Sequence, residues 1–337
     1  MSYKVRTVLP PVWQTIFGSP ACTDINKLSA DIAFLGFPYE QGHVCNLPSG
    51  KMWGPKGVRE QVKGYQYSGH YGGVPLVNIE IGEGAIGWFD PDSGEWKLRG
   101  VTMADCGDVN ILPAEGEGVN KKTNCDRLTD AVRKIIDRGA FPVVIGGDHT
   151  LAFPIARALD KFESVDIIHF DAHTDFWDSI GGAKINDADC LIRCSELSFI
   201  HKITQIGLNP RQRMDPSSKD SYDAMLAYGI NIFTPKKLRQ VGIKQLLDSI
   251  PRRNNTYVTL DIDCLDCTQS PGMSGQEYGG LTFLEVSEIL MGIARIGNVI
   301  AFDVNGLIPA RDPSGITGRL VSNLIMDFLS VRFPSKH

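Results

Sequence analysis

Seven short apolar runs recur along this chain, and they constrain its fold more than any other feature. Each run is four to seven residues long and nearly continuous in apolar side chains, as expected of strands that are covered on both faces. The runs are DIAFLGF (31–37), PVVIG (142–146), VDIIHFD (165–171), KITQIG (202–207), NIFT (231–234), TYVTLDI (256–262) and NVIAFDV (298–304). We therefore expect a sheet whose strands are buried on both sides.

Helical patterns lie between several of these strands. Apolar residues spaced three to four apart fill residues 124–139, 154–162, 235–250 and 282–297. Strands that alternate with helices predict an α/β fold, with a parallel sheet built from right-handed crossovers. We find no repeat and no linker, so we expect a single domain over 1–337 with an N-terminal extension of about 1–29. Long connections predict loops that frame a site, at residues 40–57, 107–119 and 172–200.

The composition excludes several classes of function. With 39 acidic and 34 basic residues the net charge is −5, which provides no basic surface for a nucleic acid. No apolar stretch approaches the roughly 18 residues of a membrane span. The N-terminus also lacks the charged-then-apolar pattern of a signal peptide. We expect a cytoplasmic protein with a small-molecule ligand and with no nucleic-acid or membrane partner.

Three of the predicted strands run directly into Asp or His. These strand ends supply Asp148 and His149, then Asp171, His173 and Asp175, and finally Asp261, Asp263 and Asp266. A single Asp after a strand is most often a turn or capping residue. Three such segments are a stronger signal, because ligands of open parallel sheets bind at the carboxyl ends of the strands. We expect these side chains to meet at one edge of the sheet.

Their spacing predicts a metal site. Alternate residues of an extended chain point the same way, and carboxylates that crowd together need a cation or take up protons. The candidate ligands are His149, Asp171, His173, Asp175, Asp261 and Asp263. Four carboxylates and two imidazoles suit two divalent ions, with Mn²⁺ favoured and Ni²⁺, Co²⁺ or Fe²⁺ as alternatives. Such a pair holds hydroxide at neutral pH, and the site then carries one net negative charge, which favours a cationic electrophile.

The chain resembles the ureohydrolases, a family that includes arginase, agmatinase and guanidinobutyrase. Where that family has GGDHS, DAHxD and SxDxDxxDP, this chain has GGDHT, DAHTD and TLDIDCLDC in the same order. The likeness covers roughly residues 30–330, from DIAFLGFPYEQG through DCGDVNILP to DPSGITGRL. It implies a three-layer α/β/α fold around a central parallel sheet of about eight strands. It also implies assembly as a trimer or hexamer.

The resemblance further implies roles for the site residues. One metal would be held by His149, Asp171, Asp175 and Asp261, and the second by His173, Asp171, Asp261 and Asp263. Asp175 would accept a hydrogen bond from a metal-bridging hydroxide that attacks the guanidinium carbon. Glu277 would clamp the guanidinium as a charged bidentate partner. Collapse of the tetrahedral intermediate would release urea and an amine.

This chain departs from the family pattern around the substrate. A Ser-His-Gly segment, whose His is thought to shuttle protons, is replaced by INDADC, which makes Asp187 the candidate catalytic and substrate-binding residue there. A downstream Glu of the family is replaced by Gly306. Trp177 is either a second candidate substrate contact, which suits an apolar or N-alkylated cation, or an anchor that packs its loop on the core. Arginase binds the α-carboxylate and α-amino group of its substrate with Asn and Ser in the loop after DAHTD, where this chain has FWDSIGGAKIND, which argues against arginine. Asp178 and Asp187 either favour a substrate without a carboxylate or face solvent.

Three hypotheses for the function follow. The first is a binuclear amidinohydrolase with Mn²⁺ or Ni²⁺ that releases urea or guanylurea plus an amine from agmatine, guanidinobutyrate, guanidine or a metformin-like biguanide. The second is a metal-binding, mainly structural subunit that supports an active paralogue in a mixed oligomer, because the shuttling His and the family Glu are missing. The third is a formimidoylglutamase, which needs cations to bind two carboxylates, and its candidates are Arg193, Arg211 and Arg213.

Overall fold

The computed structural model describes residues 8–9, 15–40, 49–61, 70–71, 74–75, 85–112, 120–180, 182–210, 216–252 and 254–336. The strands are β1 Val8–Leu9, β2 Ile32–Phe37, β3 His70–Tyr71, β4 Val74–Pro75, β5 Ala85–Asp90, β6 Glu95–Val109, β7 Phe141–Gly146, β8 Val165–Phe170, β9 Ile200–Ile206, β10 Asn231–Phe233, β11 Asn255–Asp261 and β12 Asn298–Asn305. The helices are α1 Gly54–Gln61, α2 Lys121–Asp137, α3 Ala152–Arg157, α4 Cys190–Ser195, α5 Pro216–Tyr228, α6 Pro235–Val241, α7 Ile243–Asp248, α8 Phe283–Ile296 and α9 Ile316–Arg332.

The main sheet is mixed but mostly parallel. Its order is β1-β6-β2-β7-β12-β11-β8-β9-β10, and β5 pairs with β6 outside this path. Neighbouring strands from β6 to β10 run parallel. In contrast, β1 and β5 pair with β6 in antiparallel fashion. Within the described ranges, eight strands are therefore parallel, which confirms the predicted α/β fold with a sheet of about eight parallel strands.

Helices cover both faces of the sheet and complete three layers. One apolar cluster joins α1, α6, α7, α8 and α9 to one face, and a second joins α2, α3, α4 and α5 to the other. Successive side chains along a strand point to opposite faces of the sheet. Thus Tyr257 and Val258, adjacent in β11, are both fully buried but belong to different clusters.

Several predicted boundaries are wrong. Segment 40–57 is not all loop, because α1 begins within it, and segment 172–200 contains α4. Segment 107–119 includes the end of β6. The pattern over 235–250 forms two helices, because Gly242 adopts φ +83° and ends the first of them. Residues 41–48 and 113–119 lie outside the described residues.

A buried ion pair attaches α1 to β6. Arg59 donates through Nε and Nη2 to the two carboxylate oxygens of Asp105, at 2.9 Å each, and through Nη1 to Asp108 at 2.6 Å. Asp105 also accepts from the backbone N–H of Ile16 at 2.8 Å. A buried charge that lost these partners would be destabilising, so the network holds α1 against β6. It thereby also holds the 3₁₀ turn Lys51–Trp53, which directly precedes α1.

The described helices include none that is both long enough and apolar enough to cross a bilayer. The cytoplasmic location and the single domain over 1–337 stay predictions.

Candidate metal centre

Strands near the middle of the sheet bring the predicted ligands to one edge. β7, β12, β11 and β8 are consecutive in the sheet. His149 opens a 3₁₀ turn just after β7, Asp171 directly follows β8, and Asp261 is the last residue of β11. These three side chains are almost completely buried. The parallel topology therefore gathers residues that are far apart in the sequence.

The first half of the cluster surrounds the imidazole of His149. Its Nδ1 atom lies 2.8 Å from Asp171 Oδ2, 3.1 Å from Asp175 Oδ2 and 3.8 Å from Asp261 Oδ2. His149, Asp171 and Asp261 form one group with the spacing of metal ligands. A nitrogen that faces three carboxylates is suited to share a cation with them.

The second half surrounds His173. Its Nδ1 atom lies 2.9 Å from Asp263 Oδ2 and 3.3 Å from Asp171 Oδ1, so the two oxygens of Asp171 serve different halves. The backbone N–H of Asp263 donates to Asp261 Oδ1 at 3.0 Å and connects the remaining pair. About 40% of the His173 side chain is exposed, in contrast to the buried His149, so the cluster opens to solvent on this side. All six predicted ligands thus lie together.

Hydrogen bonds outside the cluster orient the His149 ring. Thr259 Oγ1 donates to Asp303 Oδ1 at 3.1 Å, and Tyr257 donates its hydroxyl to the same carboxylate. The threonine oxygen can then accept a hydrogen bond from His149 Nε2, which is 2.9 Å away. This arrangement favours the tautomer whose Nδ1 lone pair faces the carboxylates, as metal-binding histidines require. The donor set therefore fits a pair of divalent ions.

Burial and mutual contact shift the titration of these groups. Burial, with a further contribution from the Asp171 charge, raises the pKa of Asp175 to about 6. Burial also opposes ionisation of Asp171, but its histidine hydrogen bonds outweigh this and hold the pKa of Asp171 well below its usual range. Although burial disfavours an imidazolium, contacts with Asp171 and Asp175 raise the pKa of His149 well above its usual value. Without metal, the cluster therefore keeps protons that a cation has to displace.

We expect metal affinity to rise with pH. Because the pKa values of His149 and His173 are raised by their carboxylate neighbours, both imidazoles are protonated in the metal-free protein at neutral pH, and Asp175 takes up a further proton below about pH 6. Metal binding needs all three groups deprotonated, so it releases protons. Calorimetric titration of Mn²⁺ into metal-free protein, in buffers of different ionisation enthalpy, counts them. A heat of binding that is independent of the buffer would contradict this prediction.

Two further predicted residues lie on loops near the cluster. Trp177 is half-buried, and its backbone N–H donates to the carbonyl of Ala188 at 3.3 Å. Glu277 is also half-buried and lies two residues after Gly275. A Cβ atom on Gly275 would lie 3.0 Å from His173 Cε1, so this loop passes directly over the second half of the cluster. The roles assigned to Trp177 and Glu277 stay predictions.

The extra acidic residues have cationic partners. Asp178 is exposed and contacts Arg193 at 3.0 Å and Lys184 at 3.2 Å. Asp187 is buried, and its Oδ2 atom lies 3.7 Å from Lys51 Nζ. Neither acid therefore supports the expectation that local negative charge selects a substrate without a carboxylate.

Among the residues that the structure describes, the arginines of the formimidoylglutamase hypothesis do not form a site that would bind a substrate carboxylate. Arg193 is buried and contacts Asp178 and Glu196. Arg211 and Arg213 lie outside the described residues.

Two residues of the cluster were missed from the sequence. The His169 ring stacks on that of His149 with 4.9 Å between centroids, and its Nε2 atom lies 3.4 Å from Asp171 Oδ2. Cys190 donates its thiol to Asp175 Oδ2 at 3.5 Å. A signal for His169 existed, because it stands two residues before Asp171 and continues the same alternation. Cys190 lies in α4 and is not part of any such pattern.

A parallel α/β sheet with two overlapping His and Asp groups at its carboxyl edge is typical of hydrolases that use two metal ions. The sequence pattern of the Arginase family matches residues 30–330, so this chain belongs to the arginase family. It is a ureohydrolase, a hydrolase that acts on C–N bonds. The family uses a binuclear divalent metal centre, typically Mn²⁺, and the buried cluster is consistent with one.

Known proteins agree with this assignment. The chain is 28% identical over 305 residues to the mitochondrial guanidino acid hydrolase of Homo sapiens, covering 89% of this chain and 77% of that protein. It is 28% identical over 327 residues to the guanidinobutyrase of Pseudomonas aeruginosa, covering 93% and 88%. The crystal structure of formimidoylglutamase from Bacillus subtilis superposes with a TM-score of 0.77 at 19% identity, covering 100% and 96%. At that identity the structural likeness shows the shared fold alone.

Proposed function

We propose that this protein is a binuclear-metal-dependent amidinohydrolase that acts on a guanidino compound other than arginine. The observation that carries the proposal is the pair of overlapping ligand groups, His149–Asp171–Asp261 and Asp171–His173–Asp263. Asp171 belongs to both, which suits two neighbouring cations that share a carboxylate. Family membership and the curated relatives that act on guanidino acids support this chemistry.

In this proposal, two sets of ligands hold the metals. The first set is His149, Asp171, Asp175 and Asp261, and the second is His173, Asp171, Asp261 and Asp263. When bound, two divalent ions lower the pKa of water and supply a nucleophile at neutral pH. Ni²⁺ is an alternative to Mn²⁺, because the imidazole nitrogens and the nearby Cys190 thiol add softer donors to an oxygen-rich site.

Two side chains of the protein then act on the reactants: one accepts a proton, and the other orients the guanidinium group. Asp175 Oδ2 faces His149 within the first ligand set, so this carboxylate is placed to accept a proton from the nucleophile. Glu277 would pair with the guanidinium group from the loop that crosses His173, and a bidentate contact there would fix the attacked carbon.

The substrate is proposed from the remaining features of the loops. Arginine carries an α-carboxylate and an α-amino group, and the loop after DAHTD lacks the residues by which arginase binds them. The half-buried Trp177 supports an apolar or N-alkylated cation. Agmatine, guanidinobutyrate, guanidine and metformin all present the required electrophile, and among them Trp177 favours a small alkylguanidine or a biguanide.

A substrate panel tests the proposal. Metal-free protein, purified without any paralogue and reloaded separately with Mn²⁺ or Ni²⁺, is assayed with arginine and the four candidates for urea, guanylurea and amine release. We expect turnover of at least one candidate, no turnover of arginine, and loss of activity on chelation. Turnover by the pure chain would also eliminate the structural-subunit hypothesis. Silence across the panel with two ions bound per chain would contradict the proposed function.

A further inference from the structure

A buried lysine faces the loop that carries Asp187. Lys51 is only 4% exposed and Asp187 only 8%, and their charged groups lie 3.7 Å apart. Placing two charges inside a protein costs solvation that their attraction does not always offset. Such a pair therefore calls for an explanation in terms of specific geometry or function.

The backbone turn that carries Lys51 is fixed by hydrogen bonds to a nearby carboxylate. The carboxylate of Glu40 accepts hydrogen bonds from the N–H groups of Ser49, Gly50 and Met52, and so fixes the turn that begins at Lys51. Gly50 adopts φ +94°, a left-handed conformation that glycine tolerates best. The position of the lysine is thus built into the connection between β2 and α1.

The loop that carries Asp187 is equally constrained. The carboxylate of Asp189 accepts from the N–H groups of Ile185 and Asn186 at 2.9 and 2.7 Å. The side chain of Asn186 in turn accepts from the N–H of Ala188 at 3.0 Å. Since the residues on either side of Asp187 are tied down, its carboxylate has little freedom to leave Lys51.

Other charged groups reach this pair from neighbouring strands. Asp148, two residues after β7, and the buried hydroxyl of Tyr39, two residues after β2, both interact electrostatically with Asp187. Burial opposes the ammonium of Lys51, but Asp187 first, and then the Asp261, Asp148 and Asp263 carboxylates, raise the pKa of Lys51 above its usual value. In the metal-free protein Lys51 therefore stays charged at neutral pH, and its contact with Asp187 at 3.7 Å does not depend on the metal ligands.

We propose that Lys51 is a positioning residue that keeps Asp187 ionised beside the metal centre, so that Asp187 orients the guanidinium of the substrate and does not serve as a proton donor. This inference rests on the proposed function. An ionised carboxylate accepts hydrogen bonds from a guanidinium strongly, whereas a protonated one does so poorly. Without Lys51, burial and the mutual repulsion of Asp148 and Asp187 would favour a proton on this pair of carboxylates.

The test compares Lys51→Met, Lys51→Arg, Asp187→Asn and the Lys51→Met/Asp187→Asn double variant with wild type. Lys51→Met is expected to raise KM about 10-fold or more at pH 7 and to change kcat less, because one charge-assisted contact weakens. Its acid limb of kcat/KM should also move to higher pH. Lys51→Arg, which keeps the charge, should retain the wild-type profile. A merely structural lysine would not change the pH profile.

Comparison of the double variant with Asp187→Asn shows whether the effect of Lys51 depends on the Asp187 carboxylate. The double variant should match Asp187→Asn, because Lys51 acts only through that carboxylate. This comparison also applies if Lys51→Met alone does not fold, since the double variant removes both charges of the Lys51–Asp187 pair and leaves neither of them buried without the other. A double variant with a much lower kcat than Asp187→Asn, or a Lys51→Met variant with the wild-type KM and pH profile, overturns the inference.

Calorimetric binding of guanidinium chloride to the metal-loaded proteins separates the two proposals. If wild type turns over nothing, the proposed function fails, and the binding measurement alone decides the role of Lys51. Weaker binding by Lys51→Met than by wild type then supports the inference. Equal affinities, or no binding by either protein, overturn it.

Discussion

Asp175→Asn is expected to lower kcat by about 10³-fold or more on any substrate that the wild-type protein turns over. The amide cannot accept a proton, and it removes one negative charge from the set that faces His149 Nδ1. The substitution should not disturb the backbone. Asp175 has φ +46°, in the left-handed region that Asn tolerates among the best of non-glycine residues. Its carbonyl still accepts from the N–H of Leu191 at 3.0 Å.

Kinetics, metal content by plasma mass spectrometry and thermal melting together check this result. Asp178→Asn is the matched control, because it makes the same chemical change three residues away on an exposed side chain that contacts Arg193 and Lys184. Asn keeps an oxygen that can accept from Arg193, and the buried Arg193 retains its contact with Glu196, so kcat should stay within about twofold of wild type. An Asp175→Asn enzyme that retains a tenth of the wild-type kcat would show that this carboxylate is not the proton acceptor.

The parallel core was predictable because its strands are buried on both faces. Such strands are continuous in apolar residues, and all seven runs became strands of the main sheet. β6 was missed for the opposite reason. Its sequence, EWKLRGVTMADCGDV, mixes charged and apolar residues, since its first part pairs with β5 and only its later part lies beside β2. A strand with two environments has no single pattern.

The candidate ligands were predictable because local rules place them. A strand end sets their position in the fold, and the period of two sets which side chains share a direction. Lys51 obeys neither rule. It reaches Asp187 only because two loops, anchored through Glu40 and Asp189, meet above the sheet. The charge of a site therefore cannot be read from its acidic residues alone, because the cations that neutralise them come from distant segments.

Gly306→Ala is expected to remove at least one metal ion per chain and to lower kcat/KM by about 10²-fold. Gly306 follows β12 with φ +89°, and a Cβ atom there would lie 2.4 Å from Asp261 Oδ1. The carboxylate would have to move. Its Oδ1 atom accepts from the N–H of Asp263, and its Oδ2 atom lies 3.8 Å from His149 Nδ1, so displacement disturbs both halves of the cluster. A glutamate at this position would meet the same obstacle.

Gly229→Ala separates this collision from backbone strain. Gly229 also has φ +89°, but a Cβ atom there would have nothing within 4 Å. Both variants carry a left-handed alanine, which costs about 1–2 kcal/mol and lowers the melting temperature by a few degrees. Only Gly306→Ala should also lose metal, measured by plasma mass spectrometry, because only it touches Asp261. Equal metal content in the two variants would mean that the Asp261 carboxylate is not held against Gly306 in the working enzyme.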